Sequence, residues 1–190
     1  MPIQIVHRLE DLQLTRPSLA TIGVFDGVHR GHASLLRPMV AAARAAACLA
    51  AVVSFFPHPD TVLHAVPERY YLTPPEEKAR LLEALGVDVL VLHPFDEAVR
   101  RWSATHFISL LARHLRLHML WATADFALGY QREGDLTFLR AQGEVLGFGV
   151  QTVDLMGGNG ERVSSSGLRR WLAEAGNVSA TADWLGRPTA

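Results

Sequence analysis

Short, continuous apolar runs recur along this chain, and each is followed by a segment with helical spacing. A run of five to seven apolar residues without polar alternation suits a strand covered on both faces, which is the habit of parallel sheets. Leu49–Phe55 (Leu-Ala-Ala-Val-Val-Ser-Phe) is the clearest case, stopped by Pro57 and Pro59. Before it, a strand starts at Leu19 and ends near Phe25, and a helix runs from about Gly31 to Ala47, with Pro38 expected to kink or break it. Beyond it, Thr73-Pro74-Pro75-Glu76-Glu77 reads as N-cap, early prolines and acidic first turn of a helix through Leu85, closed by Gly86. Val87–Leu92 is the third strand. Ser103 caps a helix to about Leu115, Leu117–Ala122 is the fourth strand, and a helix covers Leu136–Leu146 with Gly147 at its end. Val150–Leu155 is the fifth strand, Ser165 begins another helix, and 176–185 forms a last small one. Strands alternating with helices predict an α/β fold: a mostly parallel five-stranded sheet with helices on both faces.

The first strand-to-helix junction carries the densest chemistry: Gly23-Val24-Phe25-Asp26-Gly27-Val28-His29-Arg30-Gly31-His32. A helix N-terminus presents unpaired N–H groups and a positive dipole end, and both favour an anion. Gly27 and Gly31 permit close backbone approach, and two imidazoles three residues apart add donors for oxygens that gain charge in phosphate chemistry. Zinc is the competing ligand for a histidine pair, but no Cys pair or HExxH accompanies it, so the ligands are too few. The pattern favours polyphosphate over metal and over a plain turn.

Composition sets limits. At 190 residues, with 49% hydrophobic and 19% charged, the chain is long enough for one well-filled domain. Formal net charge is −1 and no basic stripe stands out, so nucleic acid is not an expected partner and phosphate binding has to be built locally. The single Cys48 excludes an intrachain disulfide and suits a reducing compartment. Neither a signal-peptide core nor an apolar stretch long enough for a membrane is present; Ala41–Phe56 comes nearest and contains Arg44. A cytoplasmic protein without membrane contact is expected.

In parallel sheets, ligands sit beyond the carboxyl ends of the strands near the switch in strand order. His29 and His32 follow the first strand, Phe56-Pro57-His58-Pro59 the second, Asp125-Phe126 with Gly129 the fourth, and Ser164-Ser165-Ser166 the fifth. One composite site accounts for that placement. Gly157-Gly158-Asn159-Gly160 is read as a hairpin turn because no Lys-Ser/Thr follows. His93, His106, His114 and His118 are read as structural or surface groups, and the four tryptophans as core or rim.

These residues resemble a family. GVFDGVHRGH is similar to the signature of the HxGH nucleotidyltransferases. With SFFPHP (Ser54–Pro59), YLTPPEEKARLLEALGVDVL (Tyr71–Leu90), FDEAVRRWSATHFISLL (Phe95–Leu111), DFALGYQREGD (Asp125–Asp135) and VSSSGLR (Val163–Arg169), the chain resembles the FMN adenylyltransferase module of prokaryotic bifunctional FAD synthetases. The likeness runs from about residue 18 to 188. It implies a Rossmann-like sheet in one adenylyltransferase domain over 1–188, with a helical segment near 165–186 packed on it. The implied reaction moves AMP from ATP to the phosphate of FMN, giving FAD and pyrophosphate, with Mg²⁺ carried by the substrate phosphates and no metal held by the protein alone.

By the same resemblance, His29, His32 and Arg169 are the catalytic residues. Gly23, Phe25, Asp26, Gly27, Gly31, Asp125, Phe126, Gly129, Ser164, Ser165 and Ser166 bind nucleotide, and Phe56, Pro57 and His58 bind flavin. Asp26 is equally readable as a backbone cap and Phe56 as a core residue; Arg132 is a further source of charge. The chain departs from the family pattern at Thr123 (commonly Gly), Ala127 (often basic), Leu128 (usually Phe), Ser166 (usually Thr) and Gly167, a variable position. It ends where the family's riboflavin kinase module begins, so riboflavin phosphorylation is not expected; a free-standing enzyme and an excised domain both fit. Another HxGH transferase with a different phosphate acceptor, or a flavin- or nucleotide-binding protein without catalysis, is the alternative.

Overall fold

The computed structural model describes residues 2–63, 71–154 and Leu185. Its centre is a six-stranded sheet in the order β1-β4-β3-β2-β5-β6, with every neighbouring pair parallel. The strands are β1 (Gln4–Val6), β2 (Ser18–Ile22), β3 (Leu49–Phe55), β4 (Val89–His93), β5 (Leu117–Thr123) and β6 (Gly149–Val153). The helices are α1 (Arg30–Ala45), α2 (Pro59–Leu63), α3 (Pro75–Ala84), α4 (Glu97–Arg100), α5 (Ala104–His114) and α6 (Leu136–Leu146).

The apolar runs alternate their loyalties across the sheet. Leu90 and Leu92 join Leu36, Met39 and Leu82 under α1 and α3, whereas Val89 and Val91 join Ile108, Leu111 and Leu139 under α5 and α6. Both faces are therefore covered, which is why β2, β3 and β4 need no polar residue on an outer face. Strand order reverses about β2: the chain steps from β2 to β3 to β4 on one side, then crosses to β5 on the other. A crevice at the carboxyl ends of β2 and β5 follows from that reversal.

Four expectations need correction. The sheet has six described strands, not five, because Gln4–Val6 pairs with Val89–Val91 and closes the open edge of β4. β2 stops at Ile22 rather than near Phe25, since Phe25 takes a left-handed φ of 49° that no strand accommodates. Pro38 does not break α1, which continues from Arg30 to Ala45; the proline is exposed while Leu35, Leu36, Met39 and Ala43 hold the helix on the sheet. Thr73 does not cap α3, whose N-cap is Pro74 without a side-chain bond, because the Thr73 hydroxyl is already committed to the turn after β2. The 157–160 turn, the helix opened at Ser165 and all of the proposed 165–186 segment except Leu185 lie outside the described residues.

Candidate active site

The seven residues from Gly23 to His29 make a turn that doubles back on itself. Phe25, Gly27 and Val28 have φ of 49°, 83° and 38°. Two of these are not glycine, so neighbours must hold the conformation against its intrinsic cost. Asp26 does much of this: its carboxylate, 1% exposed, accepts the Leu72 N–H at 3.0 Å and the Thr73 N–H at 3.1 Å. Thr73 Oγ1 in turn accepts the Gly27 N–H at 3.1 Å. Asp26 thus anchors the loop before α3, the backbone-binding one of its two readings. A Cβ on Gly27 would lie 3.0 Å from the Leu72 side chain and 3.4 Å from that of Leu185.

From the other side, the buried Lys78 of α3 reaches the Val24 carbonyl at 2.7 Å and Ser54 Oγ at 3.2 Å, and Ser54 Oγ donates to the same carbonyl at 2.7 Å. Gly23 N–H continues the sheet ladder to Val53 O. Sequence reasoning passed over Lys78 and Ser54 and read Thr73 only as a helix cap. A signal for Lys78 existed, because it shares the helix face of Leu82 and Leu85, where a lysine is out of place.

The turn delivers two imidazoles to the start of α1. His29 is the N-cap, and its Nδ1 accepts the His32 N–H at 3.3 Å. The rings are stacked, with centroids 3.7 Å apart at 18°, and Phe25 packs against His32 at 4.9 Å. Burial pushes the His29 imidazole down to about 4 against the pull of Asp26. Burial first, then the charges of His29 and Lys78, hold His32 well below the ordinary histidine range. Both rings are neutral at pH 7. Because Nδ1 of His29 is an acceptor, its proton sits on Nε2, and that donor has no hydrogen-bond partner among the described residues; nor does His32 Nδ1. Gly31 is buried in the first turn of α1, between the two.

At the reversal between β2 and β5 lies a cavity of about 670 Å³, in the size range of small-molecule sites; its lining includes Gly23 and Val24, which lead into the turn, but neither histidine. Gly23 and Val24 form one wall, and Thr123, Asp125, Phe126 and Arg132 belong to the other. Ala127, Leu128 and Gly129 also border it, so the three departures at 123, 127 and 128 are gathered at one wall. Arg132 donates from Nη2 to Asp125 O at 2.7 Å, which holds a guanidinium at the mouth. Gly129 has a separate reason to be glycine: with φ of 81°, a Cβ there would lie 2.5 Å from the Ala104 nitrogen.

The second strand-end group reaches the cavity lining through Phe55 and Pro59, while Phe56, Pro57 and His58 between them are not part of it. His58 is 5% exposed; its Nδ1 accepts the Asp60 N–H at 3.0 Å, and its own N–H donates to the Tyr71 hydroxyl at 2.8 Å. Phe56, joined to Pro57 by a cis peptide, is 42% exposed and meets the Tyr71 ring at 5.5 Å, so the core reading of Phe56 is wrong. His93 is buried beside Trp102, with Nδ1 2.9 Å from Pro94 O, while His114 Nδ1 lies 3.3 Å from Leu12 O. Ser164, Ser165, Ser166, Gly167 and Arg169 lie outside the described residues. No three His, Cys, Asp or Glu side chains among the described residues converge as metal ligands, and no described helix is long and apolar enough to cross a membrane.

Known proteins resemble this chain in fold or in sequence. A solved structure from Streptococcus pneumoniae, described as a macrolide-efflux protein, has the same fold at a TM-score of 0.84 and 23% identity, over 99% of this chain and 61% of its own. The bifunctional riboflavin kinase/FMN adenylyltransferase of Escherichia coli K12 is 36% identical over 90% of this chain and 54% of its own length. That of Pseudomonas fluorescens is 34% identical over 98% and 60%. A Listeria monocytogenes protein named FAD synthetase is 30% identical over 92% of this chain and 70% of its own length. This chain spans little more than half of the bifunctional relatives. The FAD synthetase family itself matches residues 11–167, and with the stacked histidines of the turn inside that span, the chain belongs to the FAD synthetase family.

Proposed function

We propose that this chain is an FMN adenylyltransferase that joins ATP and FMN into FAD and pyrophosphate and does not phosphorylate riboflavin. The observation that carries the reading is the His29/His32 pair, neutral and stacked at the start of a 16-residue helix, at the end of a turn whose first residues, Gly23 and Val24, line a cavity at the strand reversal. A phosphate oxygen of FMN attacks the α-phosphorus of ATP, and the bond to the β-phosphate oxygen breaks, with pyrophosphate leaving with the electron pair. The nucleophile is anionic at neutral pH, so the site needs no strong base; it has to align two anions and hold the charge that develops. His29 Nε2–H and the α1 N-terminus supply donors without adding a proton at risk of loss, because both imidazoles stay neutral. The cavity between Gly23 and Phe126 suits a substrate ring, and its lining residues Phe55 and Pro59 bracket Phe56 and His58, which the family resemblance assigns to the acceptor.

By the family resemblance, Ser164–Ser166 and Arg169 grip the β- and γ-phosphates; a planar guanidinium matches phosphate oxygens in pairs. Mg²⁺ arrives on the triphosphate and neutralises its charge. The test is FAD formation from FMN, ATP and Mg²⁺, with riboflavin as a parallel substrate and a panel of other phosphate acceptors. FAD from FMN alone supports the reading. FAD from riboflavin overturns the single-activity claim, transfer to another acceptor overturns the choice of FMN, and binding without transfer favours a non-catalytic flavin protein.

A further inference from the structure

The Lys78 ammonium has no part in the scheme above, yet it is 2% exposed and directed at the turn that carries the histidines. It donates to Val24 O, the same oxygen that Ser54 Oγ donates to, and its second bond goes to Ser54 Oγ, so the three groups close a triangle at the point where the chain leaves β2. The Val24–Phe25 peptide is planar and trans, so its N–H points opposite to its carbonyl, away from Lys78. The Phe25 N–H has no hydrogen-bond partner among the described residues. Val24 itself lines the cavity, and backbone turns containing left-handed residues, here Phe25, Gly27 and Val28, form concavities that bind anions.

We propose that Lys78 is a positioning residue for nucleotide phosphate: through the Val24 carbonyl it fixes and polarises the Val24–Phe25 peptide, so that the Phe25 N–H joins His29 in donating to a phosphate oxygen. This rests on the reading that ATP places its phosphates at the histidine turn. A cation bonded to the carbonyl end of a peptide group strengthens the donor at the other end, as in any hydrogen-bonded chain. The groups facing Lys78 are Asp26 from the turn, His32 from α1 and the Ser54 hydroxyl from β3. Burial, only partly offset by Asp26, lowers the ammonium to about 8. A lysine serving only as packing would be replaceable by an apolar side chain of its volume, whereas a perturbed buried charge bonded to a residue that lines a cavity, as Val24 does, is characteristic of functional sites.

The experiment is calorimetric titration of Mg²⁺-ATP at pH 8 in two buffers of different ionisation enthalpy, with FMN titrated in parallel. The wild-type chain is expected to take up roughly half a proton, since a bound anion recharges a lysine that is half-deprotonated near that pH. Both histidines titrate far below pH 8 and contribute nothing. Lys78→Met is expected to take up none and to bind ATP about tenfold more weakly, a loss on the scale of one charge-assisted hydrogen bond, with FMN affinity within about twofold. Ser54→Ala is expected to keep the proton uptake and lose a few-fold in ATP affinity at most. Equal uptake in Lys78→Met and wild type, or equal weakening of ATP and FMN, overturns the proposal. If Lys78→Met does not fold, the wild-type chain still decides, because ATP binding without proton uptake overturns it too. A wild-type chain that binds no ATP overturns the adenylyl-transfer reading first and this inference with it.

Discussion

Two histidines occupy the same address in consecutive βα units, and their surroundings are opposite. His29 follows β2 and caps α1; His58 follows β3 and precedes α2. Each uses Nδ1 to accept a backbone N–H, from His32 at 3.3 Å and from Asp60 at 3.0 Å. Behind His29 stands a 16-residue helix with no acidic residue in its first turn. Behind His58 stand five residues with Asp60 in the first turn, its carboxylate 3.7 Å from the ring. A long helix focuses positive potential at its start, whereas one turn with a carboxylate offers none. On the function proposed above, the same capping device builds an anion site in the first unit and a corner with a carboxylate of its own in the second.

The sharpest way to break this contrast is to remove each ring in turn. His29→Ala should lower FAD formation about 100- to 1,000-fold, the usual cost of one positioned donor. It also removes an N-cap, worth about 1 kcal/mol. His29→Asn separates the effects, since asparagine caps well: stability should return while the rate stays low. A His58→Ala loss as large as that of His29→Ala would erase the distinction.

Acid sharpens it next. The folded His29 titrates near 4 and the unfolded residue near 6.5, so below pH 6.5 the unfolded chain binds a proton that the folded one refuses. Stability is complete above 6.5 and is lost as pH falls toward 4, by on the order of 3 kcal/mol. His32 acts in the same direction. Urea midpoints between pH 7 and 4 should fall less steeply for His29→Asn than for wild type; parallel curves would mean that His29 is not the titrating group.

The sequence exposed the first unit far better than its supports. Parallel strands buried on both faces announce themselves, as Leu49–Phe55 does, and a strand-to-helix turn with two histidines is a local pattern. Gln4–Val6 was hidden because a three-residue edge strand has no periodicity; it exists through its partner, Val89–Val91. Lys78, Ser54 and Thr73 were hidden because their roles depend on contacts 24 to 54 positions away, which no local pattern encodes. The capping signal at Thr73 misled for that reason: its hydroxyl serves Gly27 and Asp26, 46 and 47 positions back, rather than the helix that follows.

On the second unit the effects are smaller. His58→Ala removes the acceptor for Asp60 N–H and loosens the corner before α2, which should cost about 1 kcal/mol of stability. With that corner displaced, kcat/KM for FMN should fall about tenfold while KM for ATP stays unchanged. An equal rise in both KM values would place His58 with the phosphates after all.

Phe56 gives the smallest and most selective effect. It is 42% exposed and packs on Tyr71, so truncation to alanine removes little buried surface, and Tm should be close to wild type. An exposed aromatic at the rim of an acceptor site gains its contacts only when a flat ring arrives. Aromatic pairing is worth about 0.5–1.5 kcal/mol, so Phe56→Ala should raise KM for FMN roughly three- to fivefold. Phe56→Leu should recover part of that through area alone, and KM for ATP should not move. A lowered Tm with unchanged KM for FMN would return Phe56 to a structural role and leave the second unit a corner of the fold rather than a wall of the site.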